Sequence, residues 1–321
     1  MELKTIEVQV KRAAHEASDI KLFELGYADG SRLPPFEPGS HIDVHVADGI
    51  LRQYSLCNGP DDTCSYLIAV KKEAASRGGS LGMHERIKVG DTLTISVPRN
   101  NFALSPHAAR HLLIGAGIGI TPLLSMGRHL MATGSQFELH YFSRSVGHAA
   151  FHALLSSPEF AGKVVFHLGL DPDGVRAALQ TLLAQRTPDA HLYLCGPGPF
   201  MDQVRAQAAA AWPDDAVHLE YFAADQSLLA APTEGFEVTL ARSGRTYAVP
   251  ESESIVEVLA RHGIEVPVSC EQGVCGTCIT NVLEGVPDHR DMFLSESEKK
   301  SCKQMALCVS RALTPKLVLD L

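Results

Sequence analysis

The sequence predicts a multidomain chain: a small antiparallel β-barrel, then an α/β domain with a doubly wound parallel sheet, then a β-rich domain. Three observations predict it. Short alternating strands and turns fill the first hundred residues, strands and helices alternate from Arg110, and a strand pattern restarts at Phe236. We therefore expect domains at 1–104, 105–225 and 236–321, with a linker at 226–235.

The overall composition is that of a globular protein, with eight cysteines and a net charge of −9 in 321 residues. This charge argues against a general nucleic-acid binder. The longest apolar run, from Leu112 to Met126, is broken by glycines and a proline, so we expect no membrane span. The polar, alternating first eleven residues do not have the pattern of a signal peptide, and the scattered extra cysteines suit a reducing compartment. We expect a cytoplasmic protein.

The first domain is predicted from period-two alternation in Thr5–Val10 and His41–Val46, and from a further strand at Leu93–Val97. Many short strands with little helix favour a small barrel. In the second domain, Thr121 and Pro122 suit the start of a helix that follows an apolar strand at His111–Ile114. This strand–helix alternation indicates a parallel sheet.

Four cysteines near the end of the chain carry the strongest chemical signal: Cys270, Cys275, Cys278 and Cys308. The spacing C-x4-C-x2-C, with one distant cysteine, is that of a plant-type [2Fe–2S] cluster. Gly273 and Gly276 suit a loop that wraps around such a cluster. The alternative is a structural zinc site, but zinc sites usually pair two short C-x2-C units.

Two stretches of the barrel contain groups that suit a phosphate. Arg52 and Tyr54 alternate on one strand face, and a guanidinium can hold a phosphate with two hydrogen bonds. Gly78, Gly79 and Ser80 precede a short helical stretch and can present amides and a hydroxyl to an anion. Each stretch also has a simpler interpretation. Arg52 and Tyr54 could lie on an exposed strand face, and Gly78, Gly79 and Ser80 could form a flexible turn before the helix.

The barrel residues resemble the flavin domain of the ferredoxin–NADP reductase superfamily. The resemblance rests on Arg52-x-Tyr54-Ser55, on Ala69-Val70-Lys71 and on Gly78-Gly79-Ser80. It implies that Arg52 and the Gly78–Ser80 amides hold the flavin phosphate, that Tyr54 packs on the isoalloxazine, and that Ser55 lies near flavin N5. It also implies that Ala69, Val70 and Lys71 line the isoalloxazine.

A glycine-rich turn follows the first strand of the second domain and suits a pyrophosphate. Within it, Gly117, Gly119 and Thr121 resemble the G-x-G-I-T-P turn of the same superfamily, although the G-x-G-x-x-G spacing is not met. Cys195-Gly196-Pro197 resembles the superfamily's C-G-P turn beside the nicotinamide.

Ser143 and Arg144 end the second strand of this domain, where an adenosine ribose would lie. Arg144 could meet a 2′-phosphate, stack on adenine, or simply be a surface residue, so NADH and NADPH both remain open on chemistry alone. The last strand of this domain is expected at Val217–Phe222, and the resemblance further implies that an aromatic residue at its end covers the flavin; we expect Phe222 in this role, with Tyr221 as substitute.

The last domain resembles the β-grasp of plant-type ferredoxins, and Asp288-His289-Arg290-Asp291 is typical of the ferredoxin domain of phthalate-type reductases. The complete order, with the ferredoxin last, resembles the phthalate dioxygenase reductase and vanillate demethylase reductase family. This resemblance implies FMN, NADH as donor and a Rieske-type terminal oxygenase as acceptor. Ser55, Cys195 and Phe222 are then the expected catalytic residues.

Two other functions are compatible with parts of the chain. A flavin or ferric reductase, or an oxidase, would use the first two domains but needs no exit cluster. A non-enzymatic iron–sulfur sensor would use the last domain but needs no nucleotide sites. The whole chain therefore predicts an oxidoreductase that passes electrons from a two-electron donor to a one-electron acceptor.

Overall fold

The computed structural model describes residues 4–47, 49–73, 78–184, 186–230 and 234–321. These form two compact units, a larger one at Lys4–Glu220 and a smaller one at Tyr221–Leu321. Residues 231–233 of the predicted linker lie outside the described residues, and a short helix, Gln226–Leu229, occupies part of the rest.

A seven-stranded antiparallel sheet forms the first half of the larger unit. Its elements are β1 (Thr5–Ala17), β2 (Ile20–Gly26), β3 (Ser40–Ala47), β4 (Ile50–Ser55), β5 (Tyr66–Lys71), α1 (Gly79–Glu85), β6 (Thr92–Ser96) and β7 (Arg99–Asn100). The strand order is β4-β3-β6-β1-β2-β5, with β7 on β3, and a bridge between Leu56 and Ile68 links the two ends into a barrel. Alternating residues such as Val8, Val10, Ile42 and Val44 fill its core because a strand points every second side chain to the same face.

A five-stranded parallel sheet forms the second half of this unit. Its elements are β8 (Arg110–Ala116), α2 (Ile120–Ala132), β9 (Gln136–Ser143), α3 (His152–Leu155), β10 (Val164–Leu168), α4 (Pro172–Leu183), β11 (Ala190–Cys195), α5 (Gly198–Ala208) and β12 (Val217–Glu220). The order β10-β9-β8-β11-β12 is doubly wound, and its topological switch point lies between β8 and β11. Ligands of such sheets bind at the carboxyl ends of the strands beside this point.

The start of α2 differs from the prediction. Gly119, not Thr121, occupies the N-cap position. Thr121 lies inside the first turn, and its hydroxyl donates to the carbonyl of Ile118 at 3.0 Å. The glycine-rich segment tightens into a single 3-10 turn, Gly117–Gly119, so the helix begins earlier than its Thr-Pro signal indicates.

The smaller unit begins with α6 (Gln226–Leu229) and continues as a mixed sheet. The further elements are β13 (Phe236–Leu240), β14 (Thr246–Val249), α7 (Ile255–Arg261), β15 (Ile279–Glu284), β16 (Pro287–Asp288), α8 (Glu296–Ser301), β17 (Gln304–Ala306), β18 (Arg311–Ala312) and β19 (Lys316–Leu319). The order is β14-β13-β19-β15-β17, and β13 pairs with β19 in parallel. Ser254 and Glu257 form a capping box that starts α7 against this sheet.

In the part of the chain that the structure describes, no helix has both the length and the apolar character to cross a bilayer.

Candidate functional site

Arg52 and Gly79 come together at one end of the barrel, as a phosphate cradle requires. A Cβ atom on Gly79 would lie 2.4 Å from Cγ and Nε of Arg52, so a larger residue at this position would force the Arg52 side chain to move. Gly78 precedes the helix with φ 93°, a backbone angle that favours glycine. The third residue of this motif, Ser80, accepts a hydrogen bond from the amide of Glu73 at 3.1 Å through its hydroxyl oxygen.

The residues predicted to line a flavin ring lie on β4 and β5. The phenol oxygen of Tyr54 is buried and has no hydrogen-bond partner, which fits a site whose remaining polar group comes from a ligand. Ala69 and Val70 are buried on β5, and Lys71 forms an ion pair with Glu73 at 2.5 Å. The orphaned phenol and the Arg52–Gly79 packing together fit a phosphate-bearing flavin.

A half-buried carboxyl group that no sequence pattern identified joins the barrel to the parallel sheet. Ser55 Oγ lies 3.3 Å from Glu220 Oε2, at the end of β12. Burial raises the pKa of Glu220 to about 8, although the hydrogen bond from Ser55 opposes this. Glu220 is paired in register with Cys195, so Ser55, Glu220 and Cys195 form one group.

Cys195 itself is fully buried at the carboxyl end of β11. Burial, with Glu220 as a second cause, raises the pKa of the Cys195 thiol well above its ordinary value. The thiol is therefore neutral and unreactive. Its role at this point is to pack against its neighbours and not to act as a nucleophile.

The glycine-rich turn packs directly against the Cys195 turn. A Cβ atom on Gly119 would clash with the carbonyl of Cys195, and one on Gly196 would lie 3.0 Å from the Cβ of Ala116. Gly117 has φ 55°, and its carbonyl accepts a hydrogen bond from the Tyr141 hydroxyl at 2.9 Å. The two turns thus meet at the switch point between β8 and β11, where a dinucleotide would bind.

Three further candidates lie at or just after the carboxyl ends of β9 and β11. Ser143 ends β9 and donates its hydroxyl to the carbonyl of Ser145, while Arg144 is exposed. Pro197 is the N-cap residue of α5. Phe222 belongs to the smaller unit, where it is 39% exposed and follows the buried Tyr221.

Four of the five cysteines of the smaller unit form two pairs. Cys278 Sγ lies 3.2 Å from Cys308 Sγ, and a hydrogen bond between Cys270 and Cys275 lowers the pKa of the Cys275 thiol. A group of three or more His, Cys, Asp or Glu side chains around one metal position is not found among the described residues. Two pairs fit two irons with two thiolates each, which is the ligand set of a [2Fe–2S] cluster.

The backbone of the cysteine loop has the conformation that this wrapping requires. Glu271, Gly273 and Gly276 all have positive φ, at 52°, 71° and 72°. A Cβ atom on Gly273 would lie 2.6 Å from the Val309 side chain, and one on Gly276 would clash with the ring of Phe293. The loop is therefore held tightly between the fourth-cysteine segment and the Asp291–Phe293 segment.

Comparison with known proteins identifies the chain. Residues 238–313 match the family model described as 2Fe-2S iron-sulfur cluster binding domain. The chain is 46% identical over 317 residues to a vanillate O-demethylase oxidoreductase of Pseudomonas sp. (strain HR199 / DSM 7063), covering 98% of this chain and 100% of that one. It is 42% identical to a phthalate 4,5-dioxygenase oxygenase reductase subunit of Pseudomonas putida, covering 95% of this chain and 93% of that one.

The structure gives the same result. It resembles that of a phthalate dioxygenase reductase, described as a modular structure for electron transfer from pyridine nucleotides to [2Fe–2S], with a TM-score of 0.76 and 40% identity. The alignment covers 99% of this chain and 98% of the other. The fold and the paired cysteines thus define a reductase component of an oxygenase system, which uses a flavin, a pyridine nucleotide and a [2Fe–2S] cluster. More narrowly, the chain belongs to the family of the vanillate O-demethylase and phthalate dioxygenase reductases.

Proposed function

We propose that this chain takes electrons from NADH through FMN to its [2Fe–2S] cluster and delivers them to a Rieske-type terminal oxygenase of an aromatic-compound oxygenase or demethylase. The observation that carries the proposal is the combination in one chain of the Gly119–Cys195 crevice, the Arg52–Gly79 cradle and the paired cysteines. An oxidase or a simple flavin reductase needs only the first two, and a sensor needs only the third.

The flavin is proposed to be FMN because the ferredoxin domain follows the other two, as in FMN-containing relatives of this architecture. Arg52 and the amides of Gly78, Gly79 and Ser80 would hold its phosphate. Tyr54 would pack on the ring with its unpaired phenol directed at the ligand. Ala69, Val70 and Lys71 would line the ring, and Phe222 would cover it.

The nucleotide is proposed to bind across the two turns at the switch point. Gly117, Gly119 and Thr121 would face the pyrophosphate, and Cys195, Gly196 and Pro197 would lie beside the nicotinamide. Ser143 and the exposed Arg144 would meet the adenosine ribose. NADH is the proposed donor, and the position of Arg144 leaves NADPH as the second candidate.

A bound flavin would supply hydride acceptance, and a [2Fe–2S] cluster held by Cys270, Cys275, Cys278 and Cys308 would supply one-electron transfer. The residues of the chain hold these groups and exclude water. Glu220 is protonated at neutral pH because its pKa is raised to about 8, so the Ser55–Glu220 pair can hold a proton within the buried site. The buried, neutral Cys195 closes the site without forming a covalent bond.

The acceptor is proposed to be a Rieske-type protein because the two relatives are named as a vanillate O-demethylase oxidoreductase and a phthalate 4,5-dioxygenase reductase subunit, and a [2Fe–2S] cluster delivers single electrons. We further propose a cytoplasmic location, since the four cysteines outside the proposed cluster, Cys57, Cys64, Cys195 and Cys302, form no disulfide. We propose domain boundaries at 1–104, 105–225 and 236–321, with the linker at 226–235.

An anaerobic titration tests this function. The purified protein is titrated with NADH and, in parallel, with NADPH, while its flavin is extracted and identified. We expect FMN, iron–sulfur absorption bands, and bleaching of both by NADH. A protein that lacks the iron–sulfur bands, or one that bleaches only its flavin, would overturn the proposal.

A Cys275→Ser variant separates the two halves of the path. We expect NADH to reduce its flavin at the rate of the parent protein, while reduction of a one-electron protein acceptor such as cytochrome c is lost. Loss of both activities in a folded variant would contradict this division.

A further inference from the structure

Tyr141 is a fully buried residue of β9 to which the proposed path assigns no role. Its hydroxyl donates to the carbonyl of Gly117 at 2.9 Å, in the glycine-rich turn of the nucleotide crevice. Burial raises the pKa of the Tyr141 phenol, while the Ala150 amide opposes this rise and the Glu16 carboxylate adds to it. The phenol is therefore neutral at physiological pH, and its proton is available as a donor.

The Gly117 carbonyl accepts two hydrogen bonds. The Ile120 amide donates to it within the 3-10 turn, and Tyr141 donates to it from outside the turn. Gly117 has φ 55°, and glycine reaches both signs of φ at little cost, so the two bonds select the orientation of the peptide that follows it. The bond from Tyr141 ties this orientation to a strand of the parallel sheet.

The orientation of this peptide decides where the next amide points. The peptide between Gly117 and Ile118 is trans, so the Ile118 N–H is directed opposite to the Gly117 carbonyl. The carbonyl faces the buried Tyr141, and the amide therefore faces away from it. No described atom lies within 4 Å of a Cβ position on Gly117, so the turn has open space beside it that a ligand can enter. Outward amides of a glycine-rich turn are the donors that pyrophosphate oxygens accept from.

We propose that Tyr141 is a positioning residue for the pyridine nucleotide: by holding the Gly117 carbonyl inward, its hydroxyl keeps the Ile118 amide directed at the pyrophosphate. Tyr141 touches the turn and not the ligand. Its hydroxyl therefore contributes to the binding of the phosphates and not to the binding of the adenosine or to hydride transfer. This inference deepens the proposed function, because it rests on a nucleotide pyrophosphate that binds at this turn.

Calorimetry on the full-length oxidised protein tests this with two ligands. ADP-ribose has the pyrophosphate but no nicotinamide, and adenosine has neither phosphate. Tyr141→Phe removes the hydroxyl and keeps the ring. We expect its dissociation constant for ADP-ribose to rise about fivefold, the effect of one net hydrogen bond. Its dissociation constant for adenosine, measured in competition with ADP-ribose, should stay at the parent value.

Tyr66→Phe is the matched control. Tyr66 is also fully buried, and its hydroxyl donates to the Pro34 carbonyl at 2.5 Å within the barrel. This variant loses a comparable buried hydrogen bond, so a general loss of stability is common to both variants. We expect it to bind ADP-ribose as the parent does. An unchanged ADP-ribose affinity in a folded Tyr141→Phe protein would overturn the proposal, as would an equal loss of adenosine affinity or an equal loss in Tyr66→Phe.

Hydrogen exchange gives a second readout, and its first measurement needs no substitution. ADP-ribose should slow exchange in peptides that cover residues 116–120 of the parent, because the Ile118 amide then has an acceptor. At equal occupancy by ADP-ribose, the slowing should be smaller in Tyr141→Phe. A parent protein that shows no slowing at saturating ADP-ribose would overturn the proposal.

Steady-state kinetics with NADH and ferricyanide separate positioning from chemistry. We expect Tyr141→Phe to raise KM for NADH and to keep kcat, and a fall in kcat at constant KM would contradict the assigned role. The failure of this inference is distinct from that of the proposed function. Normal binding of ADP-ribose by Tyr141→Phe refutes the inference alone, whereas iron–sulfur bands that NADH does not bleach, in a parent with Tyr141-dependent binding, refute the proposed function alone.

Discussion

Gly276 of the cysteine loop lies directly against the ring of Phe293, with no room between them for a Cβ atom. Gly276 also has φ 72°, so two independent restrictions act on this residue. The shape of the loop that positions Cys275 and Cys278 therefore depends on a packing contact with a residue outside it.

We expect Gly276→Ala to lower the iron and sulfide content of the purified protein sharply. The left-handed backbone costs alanine about 1–2 kcal/mol, and displacement of Phe293 adds about 1–3 kcal/mol. Gly244→Ala is the matched control, since Gly244 has φ 68° but nothing within 4 Å of its Cβ position. Adding Phe293→Ala to Gly276→Ala should restore part of the cluster content, and no recovery would show that the ring is not the obstacle.

Gly79→Ala should weaken flavin binding. The new methyl group would displace the Arg52 side chain from the cradle. We expect at least a tenfold rise in the flavin dissociation constant, measured by fluorescence during reconstitution, because a charged hydrogen bond contributes about 1.5–3 kcal/mol. Gly198→Ala is the control, since Gly198 is also the first residue of a helix but has open space around it. Equal flavin affinity in both variants would argue against the cradle.

Glu220 should make the larger unit less stable as pH rises. Its pKa is raised from 4.5 to about 8 in the folded protein, so between these values the folded state binds more protons than the unfolded state. The free energy of unfolding then falls with rising pH, by up to about 5 kcal/mol across the window. Urea titrations at pH 5, 6.5 and 8 can use the fluorescence of Trp212, the only tryptophan in the chain. Glu220→Gln should flatten this dependence, and an unchanged slope would contradict the buried neutral carboxyl.

A histidine pair across the parallel sheet should instead make the larger unit less stable as pH falls. His191 Nδ1 lies 2.8 Å from His218 Nε2, and burial, followed by His191, lowers the pKa of His218 to about 4. Between pH 6.5 and 4 the unfolded state therefore binds more protons, and stability is lost as pH falls. Allowing for the partial exposure of His218, we expect about 1–2 kcal/mol.

A phenylalanine at position 218 would keep the ring stack on Tyr193, whose centroid is 4.6 Å away, and remove the titrating group. His218→Phe should therefore lose less stability than the parent between pH 6.5 and 4, in the same Trp212 assay. His45→Phe, at an exposed strand position, is the control. If both variants follow the parent curve, the pair does not titrate as described.

The sequence predicted the fold well where the pattern was local. Alternation placed β3 within one residue at each end, at Ser40–Ala47 against the expected His41–Val46. The cysteine spacing identified the [2Fe–2S] domain, because the ligand positions of a cluster loop are fixed along the chain. The N-cap of α2 was wrong, because the 3-10 turn depends on the contact of Gly119 with Cys195, far away in sequence.

Glu220 was missed for the same reason. The sequence predicts a strand through Val217–Phe222, on which a single glutamate looks like an ordinary surface residue. Its burial arises from the barrel strand that carries Ser55, which lies 165 positions earlier. An acidic residue at the carboxyl end of a parallel strand, beside the end of the strand that carries Cys195, was the available signal.

The place of β19 in the smaller unit has a consequence for how the protein is made. Lys316–Leu319 forms the middle strand of its sheet, bonded to β13 on one side and β15 on the other, with Leu317 and Leu319 fully buried. The sheet that supports the cysteine loop cannot close until this segment has left the ribosome. The cluster must therefore be inserted after translation of residues 316–319, by which time the larger unit has long been available to fold.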